Sequence, residues 1–68
     1  MNNTKGELLF NVWIDRFKVR AEQLAPGVWS PNALQQSAET NYEEAADDVT
    51  PEEAAETEYY YMISERND

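Results

Sequence analysis

The sequence predicts a small all-α domain built from three helices, with one domain spanning residues 1–68. Three helix-start signals divide the chain, Pro and Gly separate the segments, and apolar residues recur at helical spacing within each segment. We expect the helices near residues 5–24, 31–48 and 51–66. A strand at 58–63 is the alternative, because aromatic and β-branched residues favour strands, but the chain shows no second strand with which it could pair.

Each predicted helix start carries a capping residue. Thr4, with Glu7 three residues later, has the capping-box pattern, in which both side chains satisfy free N–H groups at a helix N-terminus. The Ser-Pro pair at 30–31 and the Thr-Pro pair at 50–51 each place a capping hydroxyl before a proline at the first helical position. The Ala-Pro-Gly segment at 25–27 predicts the end of the first helix.

The first helix has apolar residues on two sides. The broad stripe, which we expect to face the core, consists of Leu9, Phe10, Trp13, Ile14, Phe17, Ala21 and Leu24. The narrow stripe on the opposite side consists of Leu8, Val12 and Val19. Either the first helix is central, with a neighbouring helix packed on each side, or the narrow stripe contacts a partner or a second copy of the chain.

The second and third helices have thinner apolar faces. That of the second consists of Leu34, Ala38, Tyr42, Ala45, Ala46 and Val49, and that of the third consists of Ala55, Tyr59, Met62 and Ile63. Alanine buries little apolar area, so the second helix is expected to depend on its neighbours. Trp29, in the turn before it, either fills the core from the loop or is an exposed anchor, with core filling favoured. Tyr60 and Tyr61 lie off the apolar face and are further candidates for partner contact, because Trp and Tyr dominate binding hot spots.

The composition argues against an enzyme. The chain has no His and no Cys, so it lacks the usual general base, the thiolate nucleophile and the soft metal ligands. The acids between residues 43 and 48 could attract hard cations loosely, but no calcium-binding loop is present, and we expect no metal and no cofactor. No apolar run approaches the ~20 residues of a membrane helix, and no secretory signal is visible, so we expect a cytoplasmic protein.

Acidic side chains are concentrated in the second half of a chain whose net charge is −9. Residues 1–24 carry four basic and three acidic side chains, whereas residues 25–68 carry one basic and eleven acidic side chains. The segment 39–58 holds no base and nine acids, which are Glu39, Glu43, Glu44, Asp47, Asp48, Glu52, Glu53, Glu56 and Glu58. Disorder of this segment in the free protein is an alternative to helix. Its charge opposes direct binding to nucleic acid or an anionic membrane and favours a basic partner.

These observations predict a protein-binding module. In size and charge the chain resembles small acidic helical proteins, often of phage origin, that occupy the nucleic-acid site of an enzyme. That resemblance implies an inhibitor or modulator whose acidic helices dock on a basic, nucleic-acid-binding surface of a partner protein. The alternative is a structural or assembly subunit that forms homo-oligomers through the narrow stripe, with the acids serving only solubility.

Overall fold

The computed structural model describes residues 3–66, and their side chains through residue 64. It contains three helices, α1 (Phe10–Leu24), α2 (Pro31–Glu44) and α3 (Pro51–Arg66), and the described residues include no strand. The all-α prediction is therefore confirmed, and residues 58–63 are helical. No helix of the described part is both long and apolar enough to span a membrane.

Helix α1 lies between the other two helices and makes most of the contacts between helices. It runs parallel to α3, because Arg16 contacts Glu52 and Arg20, one turn later, contacts Glu56. It runs antiparallel to α2, because its first residue, Phe10, packs on Tyr42 near the end of α2. Helices α2 and α3 meet only sparsely. Of the two alternatives for the first helix, its central position agrees with these contacts, but both neighbours lie on its broad stripe.

The core consists of large side chains from α1 that lie against small side chains from α2 and α3. Trp13 and Phe17 are fully buried and stack with their ring centroids 5.8 Å apart. Ala38 and Ala55 are almost fully buried opposite them. Small side chains permit the close approach of helices, and the two aromatic rings then fill the remaining space. Each ring buries enough apolar area to contribute about 1.5–3 kcal/mol.

The first helix begins at Phe10 instead of near residue 5, which corrects the predicted start. Residues 4–8 form a single turn, in which the N–H groups of Glu7 and Leu8 donate to the carbonyl of Thr4. The N–H groups of Lys5 and Gly6 donate to the carbonyls of Val49 and Asp47, at 2.8 and 2.9 Å. These contacts anchor the N-terminal segment on the connection between α2 and α3. Two members of the broad stripe, Leu9 and Phe10, are exposed, which corrects the expectation that they face the core.

The second helix ends at Glu44 instead of near residue 48, which corrects the predicted end. Ala45 has an extended backbone, and its carbonyl accepts a hydrogen bond of 2.8 Å from the ammonium group of Lys5. The following residues form a loop in which Val49 packs against the core. If α2 extended to residue 48, the carbonyls of Ala45, Asp47 and Val49 would move away from the donors of the N-terminal segment. Tertiary hydrogen bonds therefore decide where the helix ends.

The other two start signals are confirmed. The Ser30 hydroxyl accepts a hydrogen bond from the N–H of Ala33 at 3.2 Å, and the Thr50 hydroxyl accepts one from the N–H of Glu53 at 3.1 Å. In both helices a proline follows as the first helical residue. Between α1 and α2, Gly27 has a φ of 74°, which a residue without Cβ adopts at little cost.

Candidate functional site

Five of the nine predicted acidic residues lie at one end of the bundle, where α2 ends and α3 begins. We call this group the acidic end, and its members are Glu43, Glu44, Asp47, Asp48 and Glu53. All five are exposed, and within the part of the chain that the structure describes none of them makes an ion pair. The fold therefore concentrates unpaired negative charge at one end of the molecule.

Two further acids of the predicted face are paired with α1. Glu52 receives two hydrogen bonds of 2.9 Å from the guanidinium group of Arg16, from Nε to Oε2 and from Nη2 to Oε1. Glu56 receives 2.9 and 3.2 Å bonds from Nη2 and Nε of Arg20. Both pairs are a third or more exposed to solvent, so each contributes at most about 1 kcal/mol. They hold α3 in register with α1, and their charge is already matched within the fold.

The remaining two acids are hydrogen-bonded to neutral amides. Glu39 accepts a bond of 2.7 Å from Gln35 Nε2, one turn earlier in α2. Glu58, which is half-buried on α3, accepts a bond of 3.0 Å from Asn41 Nδ2 on α2. The amide groups leave the negative charge of both carboxylates in place, but they restrict the orientation of the two side chains.

The position of the acids relative to the helix dipoles differs between α2 and α3. Glu43 and Glu44 occupy the last turn of α2, which carries no basic side chain and has a partial negative charge. Glu53 occupies the first turn of α3, where the partial charge is positive. The acids at the end of α2 therefore oppose their local field, which the Lys5 ammonium group at Ala45 offsets in part.

Glu7 adds a negative charge that the sequence analysis did not assign to this site. The bond from the N–H of Gly6 to the carbonyl of Asp47 places the N-terminal segment beside the acidic end. The hydroxyl of Thr4 donates to Glu7 Oε1 at 3.0 Å and lowers the pKa of the Glu7 carboxyl. No sequence pattern could have shown this neighbour, because about forty residues separate it from Asp47.

The narrow stripe of α1 is divided by the structure. Leu8 is half-buried against the core, whereas Val12 and Val19 are 37% and 58% exposed. Both flanking helices pack on the broad stripe, where Trp13 and Phe17 are buried. The expectation that a flanking helix covers the narrow stripe is therefore wrong for its two valines, and contact with a second copy remains a prediction.

The predicted aromatic contacts lie in two separate parts of the molecule. Trp29 is half-buried against the core, as favoured from the sequence, and its indole N–H is buried without a hydrogen-bond partner among the described residues. Tyr60 and Tyr61, near the C-terminal end of α3, are exposed and pack edge to face with centroids 6.3 Å apart. A groove of about 320 Å³ is lined by both tyrosines together with Glu56 and with Glu53 of the acidic end, so the structure brings Tyr60 and Tyr61 next to one member of that group.

A surface groove of about 580 Å³ lies between α1 and the start of α2. Its apolar lining comes from Val19, Trp29, Pro31 and Leu34. No sequence pattern indicates this groove, because its lining comes from separate segments that the packing of α1 on α2 brings together.

No three acidic side chains of the described residues converge on a point where they could hold a metal ion. The carboxylates of the acidic end can therefore act as a distributed negative surface, for which the complementary ligand is a distributed positive one. No protein family, curated protein or solved structure matches this chain.

Proposed function

We propose that the protein binds a partner protein by docking its acidic end on a basic, nucleic-acid-binding surface of that partner, and thereby inhibits or modulates it. One observation carries this proposal: five carboxylates share one end of the bundle without an ion pair among the described residues. Two of them, Glu43 and Glu44, oppose the dipole of α2. A surface that served only solubility could distribute these charges with less cost to the fold.

The proposal requires that the position of the charges matters, beyond their number. We compare two double variants, Glu43→Gln with Asp48→Asn in the acidic end, and Glu22→Gln with Asp15→Asn on α1. Each variant removes two exposed negative charges, so both change the net charge equally. In the experiment, a cell lysate is passed over each immobilised protein, and the bound proteins are eluted with a salt gradient. Salt should release a partner that is held by exposed charges, because such charges are screened beyond about 8–10 Å near physiological ionic strength.

We expect the acidic-end variant to release its partner at lower salt than the wild type, and the α1 variant to behave like the wild type. Added duplex DNA should displace the partner, because it competes for the same basic surface. Equal effects of the two variants would show that net charge alone governs retention. Retention that neither salt nor duplex DNA reduces would contradict the proposal.

The exposure of Val12 and Val19 supports a second candidate function, homo-oligomer formation through α1. The two residues are seven positions apart, so they lie on one face of the helix, about two turns apart. The Val12→Asp variant should keep its helicity, because the side chain is not part of the core. Light scattering then measures the mass of both proteins. An oligomeric wild type and a monomeric Val12→Asp variant support this function, whereas a wild type that is monomeric at high concentration excludes it.

A further inference from the structure

A smaller groove lies between α2 and α3, beside the acidic end. The two helices meet there through small side chains, which leaves an opening of about 190 Å³. Its lining consists of Asn41, Glu44, Ala45, Val49, Ala54 and Thr57. Ligand pockets for drug-sized molecules hold about 300–1,000 Å³, so this groove has room for about one side chain.

The apolar part of the groove is continuous with the core. Ala54 is buried, and Ala45 and Val49 are half-buried against the core cluster. These three side chains form an apolar floor that an aliphatic chain can cover. The floor alone does not select a ligand, so the polar lining decides the chemistry.

The polar lining presents hydrogen-bond acceptors. Glu44 carries an exposed carboxylate without an ion pair among the described residues. The Nδ2 group of Asn41 already donates to the carbonyl of Ser37 at 2.8 Å and to Glu58 Oε1 at 3.0 Å. The donors of Asn41 are thus engaged, and its Oδ1 stays available as an acceptor. Glu58 adds a second negative charge next to the groove.

We propose that this groove binds one arginine side chain of the basic partner, an inference that rests on the proposed function and specifies the partner's chemistry. The aliphatic stem of the arginine covers the alanine and valine floor, and its guanidinium group donates to Glu44 and Asn41. Its five donors in a planar fork suit several separate acceptors better than an ammonium group does.

Among the arginines whose side chains the structure describes, a second copy of the chain offers none that is free for this groove. Arg16 and Arg20 are bound to Glu52 and Glu56 within the bundle, and inserting either one in a neighbour would break an ion pair. An anionic ligand would be repelled by Glu44 and Glu58. We assign the groove to a basic segment of another protein because such a segment complements the charge of Glu44 and Glu58.

The probe for this proposal is N-acetyl-L-arginine amide, titrated into the full chain and followed by amide chemical shifts. N-acetyl-L-citrulline amide is the control ligand, because it has nearly the same shape and no charge. We expect saturable shifts that cluster around Asn41, Val49 and Thr57, with a dissociation constant on the order of millimolar, as for a single side chain. Citrulline amide should cause no comparable shifts. Arginine-induced shifts that spread evenly over all acidic residues would overturn the proposal.

Two variants separate the groove from the general negative field. Glu44→Gln should weaken binding of the arginine probe several-fold, whereas Glu22→Gln, an exposed acid on α1 outside both the groove and the acidic end, should change binding less than twofold. Equal weakening by both would overturn the proposal. Thr57→Leu places a larger apolar side chain at the groove without changing the charge, and it should abolish the clustered shifts while circular dichroism stays that of the wild type.

The same measurements separate a failure of the arginine proposal from a failure of the proposed function. If the arginine probe shows no clustered shifts but the Glu43→Gln, Asp48→Asn variant still loses its partner, the proposal that the groove binds arginine is wrong. The acidic end then remains the docking surface. If the probe binds the groove but that variant retains its partner as the wild type does, the proposed function is wrong.

Discussion

The ammonium group of Lys5 lies 2.8 Å from the carbonyl oxygen of Ala45 and 4.8 Å from the centre of the Tyr42 ring. It therefore satisfies a free carbonyl at the end of α2 and places a cation where the helix dipole is negative. This contact joins residues that are 40 positions apart and ties the N-terminal segment to the end of α2.

Replacing Lys5 with Met keeps the aliphatic stem but removes the hydrogen bond and the charge. We expect the free energy of unfolding to fall by about 1–2 kcal/mol, because the lost bond involves a charged donor and a half-buried site. Urea denaturation measures this change. Lys18→Met is the control, because it removes the same charge but breaks only a bond to the side chain of Gln35. An equal fall in the free energy of unfolding in both variants would show that the hydrogen bond from Lys5 to Ala45 has no special role.

Glu43 and Glu53 should respond oppositely to the same charge reversal. Glu43→Lys places a cation in the last turn of α2 and should stabilise the protein by about 0.3–1 kcal/mol, whereas Glu53→Lys places one in the first turn of α3 and should destabilise it similarly. Both variants change the net charge equally, so a difference in melting temperature reports the local dipole. High salt should shrink the difference. Two variants that shift the melting temperature in the same direction would contradict this account.

The two tryptophans should respond differently to replacement by Phe. The buried N–H of Trp29 has no partner among the described residues, which costs about 1–3 kcal/mol, so Trp29→Phe should leave the melting temperature unchanged or raise it. Trp13 is fully buried, and its indole N–H donates to the Val49 carbonyl at 3.4 Å. Trp13→Phe loses that bond and leaves a cavity, so the melting temperature should fall. A larger fall for Trp29→Phe than for Trp13→Phe would refute the prediction.

The lowered pKa of Glu7 predicts that the stability of the fold decreases slightly as the pH falls into the acidic range. A carboxyl whose pKa is lower in the folded state stabilises the fold above its unfolded pKa, and this contribution is lost as pH falls through the folded pKa. In Thr4→Val, which lacks the donated hydroxyl, the Glu7 pKa should rise towards its ordinary value. Backbone bonds from Thr4 and Asn3 should preserve part of the depression. A carboxyl-carbon NMR titration measures both proteins, and identical Glu7 values would contradict the role of the hydroxyl.

The local signals of the sequence determined most of the helical architecture. The capping hydroxyls of Ser30 and Thr50 act within three residues of themselves, so no distant contact is needed to place the starts of α2 and α3. The broad stripe of α1 likewise follows from helical periodicity, and Trp13 and Phe17 are buried as it predicts. The negative sign of the net charge and the concentration of acidic residues in the second half of the chain were also evident from the sequence.

Tertiary structure decided where α1 begins, where α2 ends and which acids remain free. The N–H groups of Lys5 and Gly6 fix the N-terminal turn to carbonyls more than forty residues away, and no local pattern reports such a partner. Glu52 and Glu53 are adjacent in the sequence, yet only Glu52 meets Arg16. Helical geometry directs neighbouring residues about 100° apart, so the packing of α3 on α1 assigns one acid to an ion pair and the other to the acidic end.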